Sequence, residues 1–369
     1  MVLASLFART ARRLSMGHIR RVRPVLPSAA TGLVATVYRR MESEFGMIAP
    51  PVALHAAAPE VLAAVWLMLR ETLIAGDPAD RAAKEAVAAA VSLANECPYC
   101  VQVHGAALIG VGAGADAERI AAGRIDDLEP GLLRDLARWA RDSSARSAIG
   151  RSPAPFGPDR MPALLGVAVT FHVINRMVNL FLGDSPLAPI PSRGRRLGQA
   201  VAVRVFGHFA RIGRPPGRDG NLLPPAGPIA DLEWAVGRPA VADAMNRGVA
   251  AIERAASPVV PAPVRDLVRA GLADPTLTAP GLAIEGWLAG QLAVLEPAHR
   301  PAGRLALLTA WAAYRVTDAD VEHFRAAGHD DADVITLTAW ASLSAAREIG
   351  RRLHQDFTSL PLPTERTLR

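Results

Sequence analysis

The sequence has very little lysine, which bears on how its positive charge is interpreted. Lys84 is the only lysine among 369 residues, so arginine carries almost all of the net charge of +6. Such uniform use of arginine indicates a bias of the genome rather than a surface built for nucleic acid. The charge is not accompanied by an RNA-recognition, zinc-finger or helix-turn-helix pattern, so we predict no nucleic-acid partner.

Cysteine is also scarce. The two cysteines, Cys97 and Cys100, form a single C-x-x-C motif. A disulfide scaffold would need several pairs that lie far apart in the sequence. A structural zinc site would need four ligands, and only three candidates cluster here. We therefore favour redox chemistry, with zinc as a rival, and predict neither a metal nor a cofactor.

Aromatic residues and long apolar runs are both rare. Aromatics make up 5% of the chain, and abundant alanine favours helices over sheets, so we predict an all-α fold. The uncharged runs fall short of the roughly 18 residues of a membrane span, since the segment from Met161 to Gly183 contains His172, Asn175 and Arg176. Arginines from Arg9 onward interrupt the N-terminus, which lacks a signal peptide pattern, and we predict a cytoplasmic protein.

Composition divides the chain into four segments. Residues 1–30 form a basic arm, residues 31–183 a helical domain with both cysteines, residues 184–230 a proline- and glycine-rich linker with one bridging helix, and residues 231–369 a second helical domain without cysteine. We interpret the arm as packing on the first domain, with weak contact to a membrane surface as the less favoured alternative.

The two helical domains are related by a weak internal repeat. When residues 80–104 are laid over residues 299–323, His104 falls on His323, but Glu85 falls on Arg304. The order of the helices is kept although few residues match. The sequence therefore predicts two degenerate copies of one helical unit, with redox chemistry only in the first.

The chemistry is concentrated around the cysteine pair. Pro98 favours the first position of a helix, which puts Cys97 at the N-cap and Cys100 in the first turn. The free N–H groups and the helix dipole there favour thiolate, the reactive form of cysteine. His104 follows Cys100 by four residues and shares its helix face, so it can accept the thiol proton. One thiolate of such a pair can attack a peroxide, and the other can condense with the sulfenic acid to a disulfide.

The string Glu85, Cys97, Cys100 and His104 resembles the E-x11-C-x-x-C-x3-H signature of the AhpD-like alkylhydroperoxidases, in the carboxymuconolactone decarboxylase superfamily. The resemblance is strongest over residues 60–110. One position departs from the pattern: Tyr99 precedes the second cysteine, where described peroxidases of the family often carry histidine. A phenol is a poor base near neutral pH.

The resemblance implies an AhpD-like helical bundle that assembles as a homo-oligomer. It implies that Cys100 attacks a hydroperoxide, that Cys97 resolves the sulfenic acid, and that Glu85 and His104 form a proton relay to Cys100. It also implies an external dithiol reductant, either a lipoylated or a thioredoxin-like protein. Tyr99 would stand beside the site.

Other functions and roles stay open at this point. The protein could be a general thiol–disulfide oxidoreductase, a decarboxylase-like enzyme that does not use the cysteines, or a redox sensor or scaffold that does not turn over. Without the family spacing, Glu85 would be interpreted as a solvent-facing helical glutamate. Asn175 and Arg176, which interrupt an apolar helix, we interpret as interior polar anchors or oligomer contacts rather than as a substrate clamp.

Overall fold

A computed structural model describes residues 16–145, 151–186, 194–278 and 281–359. Over these ranges the chain is helical and contains no β-strand, which confirms the predicted all-α fold. The first eight helices are α1 Gly32–Phe45, α2 Pro50–Ala53, α3 Pro59–Leu69, α4 Arg81–Ala94, α5 Pro98–Gly110, α6 Gly114–Ala121, α7 Leu132–Asp142 and α8 Met161–Phe181. The others are α9 Arg195–Ala210, α10 Pro239–Ala256, α11 Ala262–Ala273, α12 Ile284–Leu292, α13 Arg300–Ala312, α14 Asp318–Ala326 and α15 Asp331–Ser359.

Helix α4 lies at the centre of the first half. Its alanine-rich sequence favours a helix and leaves a slim cylinder that α5, α7 and α8 approach closely. Nearly every residue of α8 is buried, since α4 packs on one side of it and α15 on another. Among the described helices, α8 alone is long and apolar enough to cross a membrane, but 89% of its most apolar window is buried inside the protein.

The predicted repeat is visible in the order of the helices. Shifted as in the sequence comparison, α4 coincides with α13, and α5 overlaps α14. A different shift, of 171 positions, is needed to lay α8 over α15, and these two helices pack directly against each other. Buried residues of both halves join one hydrophobic cluster. The two copies therefore share a core, and the residue limits that we assign to the domains remain a prediction.

The linker contains the predicted bridging helix, α9, which packs on α5 through a pair of glycines. A Cβ atom built on Gly110 would lie 2.5 Å from the Cα atom of Gly207, and one built on Gly207 would lie 2.7 Å from the Cα atom of Gly110. Backbone atoms cannot move aside as a flexible side chain can. The close contact of α5 and α9 therefore depends on both glycines.

We expect Gly110→Ala to destabilise the protein by about 1–3 kcal/mol, because the new methyl group collides with the backbone of α9. Gly105 lies on the same helix, and a Cβ atom built on it would meet no other atom within 4 Å, so Gly105→Ala should stabilise by up to about 1 kcal/mol through helix propensity. Urea denaturation followed by circular dichroism measures both. Equal effects of the two substitutions would contradict the close glycine contact.

The described part of the basic arm packs on the first domain and on α14 and α15. The backbone N–H of Arg20 donates to the carbonyl oxygen of Phe181 at 2.8 Å, and the Arg21 side chain donates to Asp318 at 2.7 Å. The backbone N–H of Arg23 donates to Asp331 at 2.8 Å. Residues 1–15, which include the rest of the predicted arm, lie outside the described residues.

The single lysine of the chain is buried on α4. Lys84 Nζ donates to the carbonyl oxygen of Ala75 at 2.8 Å, and only 2% of the residue is exposed. Burial, helped by the nearby positive charges of Arg81 and Arg238, lowers the pKa of Lys84 to about 8. Between pH 8 and the ordinary lysine pKa of 10.5, the unfolded chain thus binds more protons at this residue than the folded one.

The Lys84 contribution to stability should therefore rise with pH across that window. We compare the free energy of unfolding of Lys84→Met with that of the wild type. The variant value minus the wild-type value should be about 3 kcal/mol larger at pH 7 than at pH 10.5. Chemical denaturation of both proteins at a series of pH values measures this difference. A difference that does not change with pH would mean that Lys84 keeps its ordinary pKa.

Candidate active site

The cysteine pair lies where the sequence predicts, at the N-terminus of α5. Cys97 is the N-cap residue and Pro98 takes the first helical position. A tight turn after α4 brings the chain to this point, and Glu96 adopts a left-handed conformation in it with φ of 51°. Such a φ is uncommon for a residue with a side chain. The turn therefore fixes the start of α5 at some conformational cost.

Both thiols are free and buried, each with 1% exposure. Burial raises the pKa of Cys100 well above its ordinary value, and the neighbouring Cys97 raises it further. The helix N-terminus favours the thiolate, as the sequence indicated, but for Cys100 the effect of burial is larger and favours the thiol. A base that accepts the thiol proton is therefore needed.

Glu85 and His104 meet across the α4–α5 interface. His104 Nδ1 lies 2.7 Å from Glu85 Oε2, and Arg81 Nε donates to Glu85 Oε1 at 2.7 Å. Burial alone would raise the pKa of Glu85, but Arg81 and then His104 outweigh it, so the pKa lies below its ordinary value. Glu85 is thus a buried carboxylate, not the solvent-facing residue that composition alone suggested.

The Glu85 carboxylate orients the His104 ring. A carboxylate only accepts hydrogen bonds, so Nδ1 donates to it, and Nε2 is the ring nitrogen that this contact leaves unused. Among the described residues, no hydrogen-bond partner occupies Nε2. The ring of Phe171 packs edge-on against the imidazole, with centroids 4.5 Å apart, and helps to hold its orientation. The ring of His104 is therefore held in one orientation by Glu85 on one side and Phe171 on the other.

Cys100 and His104 line one cavity of about 830 Å³, which has the size of a small-molecule site. Cys97 and Glu85 are not among its described lining residues. Helices α5 and α9 form two of its walls, and the lining is mainly apolar. Its larger apolar lining residues are Phe45, Met47, Val52, Leu69, Leu73, Val101, Val103, Ile109, Phe171, Ile174, Val201, Val205 and Phe206.

Tyr99 also lines the cavity, and its ring meets that of His18 edge-on with centroids 5.9 Å apart. Burial raises the pKa of Tyr99, and the two neighbouring cysteines raise it further. The phenol therefore stays neutral and can donate a hydrogen bond, but it does not replace a histidine as a base.

Three polar residues near the cysteines were not assigned to the site from the sequence. Arg81 could have been found from its spacing, because it precedes Glu85 by four residues on one helix. Asn95 Nδ2 donates to Asn175 Oδ1 at 3.1 Å, and Asn175 lies close enough to Cys100 to lower the pKa of its thiol. Asn175 is a polar anchor, as its position in an apolar helix indicated, but nothing in the spacing pointed to the thiol.

The second copy has ion pairs of Arg304, one partly buried and one exposed, where the first has its buried site. Arg304, the counterpart of Glu85, contacts Asp320 at 2.6 Å and Glu285 at 2.8 Å. His323, the counterpart of His104, is exposed. No group of three or more His, Cys, Asp or Glu residues that could hold a metal ion occurs in the described part of the chain.

The site therefore combines a buried dithiol with a carboxylate–histidine pair, carried by two adjacent helices of an all-α scaffold. The family model of the carboxymuconolactone decarboxylase family matches residues 59–141. The alkyl hydroperoxide reductase Rv2159c of Mycobacterium tuberculosis is 35% identical over 335 residues, which cover 91% of this chain and 95% of that protein. No solved structure matches the chain. The chain belongs to the AhpD-like, carboxymuconolactone decarboxylase superfamily.

Proposed function

We propose that this protein is a thiol-dependent peroxidase of the alkyl hydroperoxide reductase type. The observation that carries the proposal is that Cys100 and His104 line the same apolar cavity, whereas Cys97, the N-cap residue of the same helix, is not among its described lining residues. This arrangement supports Cys100 as the attacking thiol and Cys97 as the resolving one. The name of the Mycobacterium tuberculosis relative supports the same type of activity.

In the first step, His104 Nε2 accepts the proton of the Cys100 thiol. The Cys100 sulfur attacks the terminal peroxide oxygen, so an S–O bond forms as the O–O bond breaks. The leaving alkoxide takes the proton from His104 and departs as the alcohol. Cys100 is oxidised to a sulfenic acid and the peroxide is reduced. Glu85 stabilises the transient imidazolium, and Arg81 keeps Glu85 ionised.

In the second step, the Cys97 sulfur attacks the Cys100 sulfenic acid, a disulfide forms, and water leaves. A dithiol donor, either a lipoylated or a thioredoxin-like protein, then returns two electrons and two protons through a mixed disulfide. A cytoplasmic location would supply such donors, because that compartment keeps thiols reduced.

The lining of the cavity favours an organic hydroperoxide over a charged substrate. Its described lining contains no arginine or lysine that could hold a carboxylate, so a decarboxylase acting on a carboxylated lactone has weaker support. Glu118 at the cavity adds negative charge rather than positive. An apolar alkyl group is the better match for these walls.

The first test is steady-state consumption of cumene hydroperoxide with dihydrolipoamide as donor. We expect turnover by the wild type and none by the Cys97→Ser/Cys100→Ser double variant. Reduction of a disulfide substrate in the absence of peroxide would favour a general thiol–disulfide oxidoreductase. Oxidation of both thiols once, without turnover, would favour a redox sensor and overturn the peroxidase proposal.

The homo-oligomer remains a proposal that rests on the family resemblance, and membrane contact by the arm remains the less favoured alternative suggested by its arginine-rich composition. Light scattering of the purified full chain tests the first. Co-sedimentation with anionic vesicles tests the second, and we expect no binding, because the side chains of Arg20 and Arg21 already donate hydrogen bonds within the protein.

A further inference from the structure

A chain of hydrogen-bonded polar side chains runs from Ser143, at the end of α7, to Asn175 on α8, which lies close enough to Cys100 to lower the pKa of its thiol. His172 Nε2 lies 2.8 Å from Ser143 Oγ, and His172 Nδ1 lies 3.0 Å from Asn95 Nδ2. Asn95 Nδ2 also donates to Asn175 Oδ1 at 3.1 Å. The proposed proton relay through Glu85 and His104 uses none of these residues.

The direction of each hydrogen bond in this chain can be assigned from its two ends. Ser143 Oγ donates to the carbonyl oxygen of Ala140 at 2.6 Å, so it must accept from His172 Nε2–H. His172 is then neutral, with Nδ1 accepting from Asn95. Burial lowers the pKa of His172 well below its ordinary value, and Arg176 and Arg352 lower it further, which agrees with the neutral ring.

The other end of the chain gives the same orientation of Asn175. Ser92 Oγ donates to the carbonyl oxygen of Ala88 at 2.6 Å, so it accepts from Asn175 Nδ2 at 3.0 Å. Asn175 Oδ1 therefore faces the donor group of Asn95, and Asn175 Nδ2 keeps one N–H for Cys100. If the Asn175 amide were turned over, its NH₂ group would face the NH₂ group of Asn95, and its oxygen would face the accepting oxygen of Ser92. Such unpaired polar groups are costly in a core.

We propose that Asn175 is a further catalytic residue, which donates an amide N–H to the Cys100 sulfur and so stabilises its thiolate during the reaction. Asn95 and His172 are positioning residues, because they act on the sulfur only through the orientation of Asn175. An N–H donor at a developing anion is a common device of active sites, and it works best where water is excluded. The hydrogen bond from Asn175 lowers the pKa of Cys100 against the effect of burial.

Arg176 ties this chain to the second copy. Its guanidinium donates to the carbonyl oxygen of His172 at 2.7 Å and to that of Ala310, on α13, at 3.1 Å. The side chain thus joins the backbone of α8 to the degenerate half. This gives that half a role in holding α8 in place, although it carries no cysteine.

The inference rests on the proposed role of Cys100, but its test does not require peroxidase turnover. In a Cys97→Ser background, Cys100 is the single remaining thiol of the chain. The rate of its alkylation by iodoacetamide is measured against pH. Asn175 does not line the described cavity, so replacing it should not change the access of the reagent.

We expect Asn175→Leu to move the midpoint of the alkylation profile upward by about one pH unit. At pH 8 the reaction should be about tenfold slower, with the high-pH plateau unchanged. Val173→Ala, a buried truncation on the same helix, is the control and should lower stability without moving the midpoint. If Asn175→Leu folds and the midpoint of its alkylation profile equals that of Val173→Ala, the proposal is overturned.

If Asn175→Leu does not fold, Asn95→Ala carries the same prediction. It removes the donor that orients Asn175 Oδ1, so the amide can rotate away from the sulfur. We expect an upward shift of the midpoint that is smaller than for Asn175→Leu but clearly present. An unchanged midpoint in a folded Asn95→Ala protein would overturn the proposal as well. If the wild type shows no peroxidase turnover, the proposed function is contradicted, but the shift of the alkylation midpoint would still support the role of Asn175.

Discussion

Cys100→Ser is expected to reduce peroxide turnover by at least about a thousandfold, because the hydroxyl that replaces the thiol is far too weak a nucleophile toward the O–O bond. The substitution removes the sulfur that lines the cavity and leaves the Glu85–His104 pair intact. Steady-state consumption of cumene hydroperoxide with dihydrolipoamide measures the loss. A decarboxylase-like enzyme that does not use the cysteines would keep its activity in this variant.

Cys97→Ser separates the roles of the two thiols. Because Cys97 does not line the described cavity, we expect the variant to reduce about one equivalent of peroxide in a rapid burst and then to stop. The Cys100 sulfenic acid should accumulate and should be trapped by dimedone, with the adduct located by mass spectrometry. A dimedone adduct on Cys97 in the Cys100→Ser protein, with a burst of the same rate, would reverse the assignment.

The start of α5 could be predicted from the sequence because it is determined locally. Pro98 lacks the N–H that a first helical residue does not use, so the position of Cys97 as N-cap follows from the proline alone. The order of the helices, including the bridging helix α9, likewise follows from apolar spacing and from the proline and glycine clusters. These signals lie within a few residues of the structure they determine.

The pairing of Glu85 with His104 could be predicted only through the resemblance to a family. The two residues are on different helices, and nothing in the local pattern around Glu85 distinguishes it from a solvent-facing glutamate. Its burial comes from the packing of α4 between α5, α7 and α8, which is a tertiary effect. Arg81 has a local signal, but that signal becomes meaningful only once Glu85 is known to be buried.

The state of the thiol and the shape of the cavity could not be read from the sequence at all. The dipole of α5 predicts a thiolate, yet desolvation of Cys100 has the larger effect, and its size depends on what surrounds the sulfur. The cavity needs α9 as a wall, and that helix lies roughly a hundred residues further along the chain. Asn175 reaches the sulfur for the same reason, through the packing of α8.

Glu85→Gln is expected to lower peroxide turnover by about 10²–10³-fold, because the proposed relay then loses the charge that stabilises protonated His104. The amide can also turn its NH₂ group toward the ring, which favours a proton on Nε2, where the base should be. Glu118→Gln is the matched control, since Glu118 lines the same cavity, whereas the carboxylate that hydrogen-bonds to His104 is that of Glu85. An equal loss in both variants would show that cavity charge, and not the His104 contact, is responsible.

The same substitution should destabilise the protein by about 3 kcal/mol at pH 7, because the buried Arg81 guanidinium loses its counter-charge. The folded-state pKa of Glu85 lies below its ordinary value of 4.5, so the stability it contributes is fully present above that value and is lost as the pH falls through the folded-state pKa. The gap in free energy of unfolding between wild type and Glu85→Gln should therefore be constant from about pH 5 to pH 7 and should narrow below pH 4.5. Urea denaturation at about pH 7, 5 and 3.5 measures the gap, and a gap that widens on acidification would mean that Glu85 is protonated in the folded protein. Arg81 keeps the Glu85 carboxylate charged in an interior without water. The change in stability and the change in peroxide turnover therefore test the same contacts of Glu85 with Arg81 and His104.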